Sequence, residues 1–395
     1  MPPTQLDRSR QPDDVSPQAP HPLPRSVLFA LLWSIATAVT AISWALDLLP
    51  HPFGDADQIA IGAVFNTSDP LIGTAFTLVV ALAGVACALV MRRTWHGPAA
   101  VVPSAPLLAA WGIVAALTLV LLHGSLLAFL GYTVVLPFLA WFEPALLPAF
   151  VAAVTRPDTI FQLTATLGAV LWGNAALRYR RAERAACVTC GRTPGWSVTD
   201  EARTRSRALR TGQVASWVAA GGLLIYPAMR IPWLFGIRIG VDAETWAQLQ
   251  EEGVEAGIAL GLAGLVGAVL IAGLVRDWGV HVPRWMLGLA GRRVPIAAAV
   301  APAIVVTIGF VALGRGTLMG ALTGALGGRG GGVASGADVG MHVVAFGALL
   351  PAGVALAVAA AAYAVRRRAE CRVCGQGTVD VAVRDLRTAA VTGRP

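Results

Sequence analysis

The 395-residue chain contains no lysine; all 30 of its basic residues are arginine. That excludes a phosphate-binding G-x-x-x-x-G-K-[ST] loop, whose lysine must reach the nucleotide phosphates. Neither H-E-x-x-H nor G-x-S-x-G occurs, so the zinc-protease helix and the serine nucleophile elbow are missing too. Charge is equally scarce. Charged residues make up 13% of the chain and hydrophobic ones 56%, against about 25% charged in a soluble domain. With a mean hydropathy of +0.67, this excludes an ordinary cytosolic enzyme and a disordered chain. Five cysteines are too few for a secreted disulfide scaffold.

What the chain does have is long apolar runs. A bilayer core about 30 Å thick needs roughly 20 apolar residues per helix. Eight such runs lie between charged boundaries, at about 26–49, 71–91, 107–131, 159–178, 211–234, 255–275, 294–313 and 340–365. The expected fold is therefore an all-α integral membrane protein with eight transmembrane helices. Residues 134–150 are also apolar, but Pro137, Pro144, Pro148 and the carboxylate of Glu143 point to an interfacial or re-entrant hairpin.

Arginine placement orients the chain. With both termini in the cytosol, 25 of the 30 arginines fall on the cytosolic side, and only Arg156, Arg230, Arg238, Arg315 and Arg329 fall outside. This is the positive-inside asymmetry of a plasma-membrane protein. The basic balance of +8 then reports topology and attraction of anionic lipids to the cytosolic arginine clusters. It does not call for nucleic acid, since no folded basic module is present.

The chain also repeats itself. A shift of 184 residues lays Trp33 on Trp217, Arg92 on Arg276, Tyr179 on Tyr363 and Arg184 on Arg368. The same shift lays CVTCG (Cys187–Gly191) on CRVCG (Cys371–Gly375). Coincident Trp, Tyr and paired Cys mark a tandem duplication. Four helices per half keep the two copies parallel, about an axis along the membrane normal. The expected organisation is a disordered cytosolic tail at 1–25, a first four-helix repeat at 26–191 and an Arg-rich linker at 192–209. A second repeat at 210–375 and a cytosolic tail at 376–395 complete it.

Four cysteines carry the strongest chemistry. Cys187, Cys190, Cys371 and Cys374 lie as two CxxCG motifs just past membrane exits. Two intervening residues let both thiolates face one ion, and the following glycine can turn the backbone back toward the sulfurs. Two such knuckles make a closed tetrahedral zinc site joining the halves, structural because no coordination position stays open. A redox pair is the competing reading, though the cytosol keeps thiols reduced. Coincidence in variable tails is the third. Cys87 lies mid-span, where a cysteine is a small packing residue.

Polar groups within the apolar runs are costly and invite a role. Asp47 and Arg230 fall at matching depths in related helices, so they either pair across the halves or reach separately for the headgroups. His123 could belong to a polar pathway or simply bond a neighbouring helix, as could His342. Glu143 is the candidate for outer-face chemistry, and Asn174 for a helix–helix hydrogen bond. Gly257 and Gly261 form a GxxxG for close helix contact.

The paired four-helix halves, Arg-rich exits and CxxCG tails, with the stretch from Tyr226–Pro227 to Trp233, resemble uncharacterised multi-pass membrane proteins of high-GC actinobacteria. The resemblance covers most of the chain and implies a location and no activity. With no catalytic or nucleotide-binding motif, a structural or regulatory membrane protein is expected. The alternative is a transporter or permease for a small solute.

Overall fold

The computed structural model describes residues 25–54, 63–65, 68–95, 104–141, 144–252, 255–283, 288, 290–322 and 339–377. The expected tail at 1–25, except Arg25, and the expected tail at 376–395, except 376 and 377, fall outside them. Among the described residues the chain is helical, without strands. The helices are α1 (Arg25–Ala45), α2 (Pro70–Thr94), α3 (Ser104–Ala116), α4 (Ser125–Leu139), α5 (Leu146–Val154), α6 (Pro157–Glu183), α7 (Val198–Arg230), α8 (Ala243–Glu252), α9 (Glu255–Gly273), α10 (Ile296–Leu322), α11 (Val339–Gly347) and α12 (Leu349–Arg367).

Among the described residues, seven segments are long and apolar enough to cross a membrane: Arg25–Ala45, Pro70–Thr94, Ser104–Leu121, Pro157–Glu183, Val198–Phe235, Ile296–Leu322 and Val339–Arg367. These cover seven of the eight expected runs, the third and the eighth only in part as single helices. The sixth run is α9, whose apolar part is the shorter stretch Gly257–Gly273. At 1.5 Å per residue that stretch spans roughly 26 Å, short of a hydrocarbon core of about 30 Å.

The faces of these helices are arranged for lipid. Along α1 the buried positions are Ser26, Val27, Ala30, Leu31, Ser34, Ala38, Ala41 and Trp44. The exposed ones are Leu28, Phe29, Leu32, Ile35, Val39 and Ile42. Small residues let helix backbones approach, while the larger aliphatics face outward, which is affordable only where the surroundings are apolar. The same logic places Gly84 against Ser34 and Trp172, and Gly168 against the ring of Trp33. Buried Trp172 donates its indole N–H to Ser34 Oγ at 3.2 Å, tying α6 to α1.

Two cores result. One gathers buried residues from Val27 to Tyr179, joined by Ile308 and Ala312 of α10. The other gathers Ala215 to Tyr363. In the second, α7 packs on α9 and α12, and α10 packs on α12.

Three sequence expectations need redrawing. The run 107–131 is not one helix. It leaves α3 through the π-helical turn Leu117–Leu121, breaks at extended Leu122, and resumes as α4. The apolar segment 134–150 keeps its expected hairpin form within wider bounds: it runs from the second half of α4 through a turn into α5, and stacked Phe129 and Phe150 rings lie 5.0 Å apart between the two helices. Its Glu143 lies outside the described residues. The expected linker 192–209 is largely helix, because α7 starts at Val198 and runs unbroken to Arg230. Ser197 accepts the Asp200 N–H through its hydroxyl at 3.1 Å, an N-terminal cap. At 33 residues, α7 is about 50 Å long. Its first turns, with Arg203, Arg205, Arg207 and Arg210, therefore project beyond the apolar part.

Candidate metal centre

The site begins where α6 ends. Ala185 takes a positive φ of 49°, turning the chain out of the helix. Arg181 then donates to the Val188 and Thr189 carbonyls at 3.0 and 2.8 Å and fixes the loop against its own helix. Within the loop, Cys187 N–H donates to the Arg192 carbonyl at 2.8 Å and Gly191 N–H to the Cys187 carbonyl at 2.7 Å. After α12 the pattern recurs: Cys371 N–H donates to the Gln376 carbonyl at 2.9 Å and Gly375 N–H to the Cys371 carbonyl at 2.8 Å. Each donor and acceptor lies 184 residues from its counterpart. Gly191 and Gly375 close the two turns at φ of 75° and 68°, a left-handed conformation that glycine adopts without Cβ strain.

The two loops face each other. Cys187 Sγ lies 3.9 Å from Cys371 Sγ, and Cys190 Sγ lies 3.6 Å from Cys374 Sγ. All four sulfurs lie within 4.8 Å of one another, and none is in a disulfide. A tetrahedral zinc with Zn–S bonds of about 2.3 Å requires S–S edges of about 3.8 Å. The cluster has these dimensions, so the four cysteines are compatible with a metal site.

The local electrostatics suit a cation coordinated by thiolates. Burial would raise the Cys371 thiol, but the Cys374 and Val373 backbone N–H groups donate to its sulfur and draw it down to about 7. Burial instead pushes Cys374 up to about 12. Four thiolates this close repel one another strongly, and a central cation relieves that repulsion.

Around the sulfurs lies a polar clamp absent from the sequence-level expectations. Glu201, in the first turn of α7, is 1% exposed at its side chain. Its carboxylate accepts from Arg192 Nη2 at 2.9 Å and Nε at 3.1 Å, from Arg368 Nη2 at 2.9 Å, and from the Trp196 indole at 3.0 Å. Arg205 Nε lies 3.3 Å away. Burial alone would raise the Glu201 carboxyl, but its bonds to Arg192, Arg368 and Trp196 prevail and hold it at about 2. Arg192 also donates to the Ala369 and Gln376 carbonyls, and Arg368 to the Cys190 carbonyl. One carboxylate thereby ties each cysteine loop to the other. The capping pattern Ser197-x-x-Asp200 could have placed a helix start beside Glu201; nothing in the sequence marked its partners.

The remaining candidates are dispersed. Exposed Asp47 pairs with His51 at 3.1 Å. Arg230 stacks on the rings of Trp233 and Tyr226, 4.0 and 5.2 Å from their centroids. No ion pair joins Asp47 to Arg230. Gly257 and Gly261 of the GxxxG make room for Trp233 and Arg230, so this motif serves contact within the chain. His123 sits at the helix break. Its N–H donates to Gln162 Oε1 at 3.1 Å, and its ring Nδ1 lies 2.6 Å from Ser125 Oγ. His342 packs against Phe346. Asn174 accepts from Arg178 on its own helix, not from another. Cys87 donates to the Pro106 carbonyl within the first core.

Compared with protein-family models, curated proteins and solved structures, the chain gives no match. Its class follows from its helices and cysteines: an all-helical chain that fits a multi-pass membrane protein, with a four-cysteine cluster compatible with a metal.

Proposed function

We propose that this chain is a multi-pass plasma-membrane protein of structural or regulatory function. Its two duplicated four-helix halves are parallel repeats, and its termini are cytosolic. Each half ends in a CxxCG knuckle, and the two knuckles share one structural zinc. The observation that carries this reading is the meeting of four sulfurs from loops 184 residues apart, at tetrahedral spacing. The matching backbone bonds of the two loops support duplication. Zinc suits an all-thiolate, closed set, and such a set leaves no position for substrate. The metal supplies a cross-link, which the Glu201 clamp reinforces from the protein side.

A transporter reading has one feature in its favour, the helix break at Leu122–Gly124. There, however, Gln162 satisfies the Leu121 carbonyl and the His123 N–H, while Arg315 donates to the Leu122 carbonyl. These groups are spent on the backbone and do not present a solute site, so the structural reading is preferred.

The test is metal analysis of protein purified under reducing conditions. About one zinc per chain is expected, lost when all four cysteines become serine and kept in Cys87→Ser. A folded preparation without metal overturns the proposal.

A further inference from the structure

At the end of the first half away from the cysteines, a cavity of about 360 Å³ opens between α1, α2 and α6. Trp33, Trp44, Val80, Leu117, Leu121 and Phe161 form much of its wall. Five threonines also line it, and the hydroxyls of four are engaged by their own helices, Thr37 being the fifth. Thr40 donates to the Ala36 carbonyl at 2.9 Å, Thr77 to Gly73 at 2.8 Å, Thr155 to Val151 at 3.1 Å and Thr164 to Phe161 at 2.9 Å. The Trp33 indole N–H is likewise spent on the Thr164 carbonyl at 2.9 Å. Those four hydroxyls and the indole N–H are already engaged, so a polar solute would find few partners for its hydrogen bonds.

The cavity is kept open by its surroundings. Trp44, Phe53 and Phe161 pack edge to face, with centroids 5.0 to 6.1 Å apart, and Phe65 extends the cluster. Such a wall resists collapse, because each ring already has its contacts. Two of the corresponding positions in the second half are tightly packed. Thr77 and Val80 correspond, 184 residues on, to Gly261 and Gly264. Arg230 and Pro227 press there, to 3.2 and 2.9 Å of where a Cβ would stand. Only in the first half are these positions filled by residues that hold the helices apart.

We propose that this cavity binds the hydrocarbon chain of a membrane lipid. Water gains little in an apolar space, and an empty one forfeits the dispersion contacts of its lining. A lipid chain restores them, and it is the apolar molecule most abundant beside lipid-facing helices. The proposal is independent of the zinc reading.

The test uses the full chain in vesicles of phosphatidylethanolamine and phosphatidylglycerol doped with phosphatidylglycerol bearing a diazirine in one acyl chain. After irradiation, cross-linked peptides are mapped by mass spectrometry. Several-fold enrichment is expected on the α1 and α6 peptides that line the cavity, relative to the exposed α9 face at Val266, Val269 and Leu270. Thr40→Phe, which fills the space from α1, should abolish the enrichment, whereas Val269→Phe should not. Should Thr40→Phe fail to fold, Ala36→Leu fills the same cavity and serves in its place. Even labelling of all lipid-facing helices, or enrichment that survives filling, overturns the proposal.

Discussion

Replacing Glu201 by glutamine keeps the shape of the clamp between the cysteine loops and removes its charge. The wild-type carboxylate is held at about 2, against 4.5 for a free glutamate. At about 1.4 kcal/mol per pH unit, that difference corresponds to about 3 kcal/mol of preferential stabilisation of the charged form. A second route gives a similar size: removing one partner of a buried ion pair costs about 3–5 kcal/mol. Arg192 and Arg205 are both almost fully buried and would be left uncompensated. Because the folded-state value is depressed, the contribution is fully present above pH 4.5 and is lost as pH falls toward about 2. Unfolding in mixed micelles titrated with dodecyl sulfate measures it. Glu201→Gln should lose about 3 kcal/mol at pH 7, and the gap to wild type should close on acidification. In a cycle with Arg192→Gln, the double variant should lose less than the sum of the single variants by about 0.5–3 kcal/mol. A Glu201→Gln protein within about 0.5 kcal/mol of wild type at pH 7 would refute the clamp.

Three further variants test the packing of the apolar helices by the same unfolding assay. A Cβ added at Gly314 would run into the backbone nitrogen of Leu350, which cannot swing aside, whereas Gly112 has open space. Gly314→Ala should therefore cost about 1–3 kcal/mol, and Gly112→Ala should be neutral or slightly stabilising; equal effects would contradict the α10–α12 contact. Gln162→Leu strips the partners from the Leu121 carbonyl and the His123 N–H, a loss of about 1–3 kcal/mol per orphaned group. Unchanged stability and unchanged protection of the His123 amide from exchange would show that the break is held by something else.

The cysteine cluster was readable in advance because its signal is local. Two CxxCG motifs at one repeat distance mark both the four cysteines that meet and their partnership, and Cys87 declared itself by lying mid-run. Glu201 was hidden for the opposite reason. Its three guanidinium contacts come from Arg192, Arg205 and Arg368, and the most distant is 167 residues away. In a chain with 30 arginines, sequence alone cannot say which three meet one carboxylate. The break at Leu122 was missed because hydropathy does not register backbone geometry: 107–131 is apolar throughout, but Gln162 and Arg315 allow its carbonyls to leave the helical ladder.

The two ends of the molecule join the halves by different physics. At the cysteine end a buried carboxylate, several arginines and four sulfurs converge, and each bond is strong because its partners are shielded from competing water. Farther along the helices the halves meet through α10 against α4 and the π-helical turn. Gly309 faces Leu127 there, and Arg315 reaches the Leu122 carbonyl. In lipid no hydrophobic force draws helices together, and interhelical hydrogen bonds average only about 0.6 kcal/mol. On the proposed reading, coupling between the halves resides chiefly in the metal and the Glu201 clamp, with each helical core held by its own packing. Loss of that metal is then expected to loosen one half against the other before either core opens. That ordering is what a cross-link placed outside the apolar helices can accomplish, and it explains why the polar groups of this charge-poor chain are concentrated there.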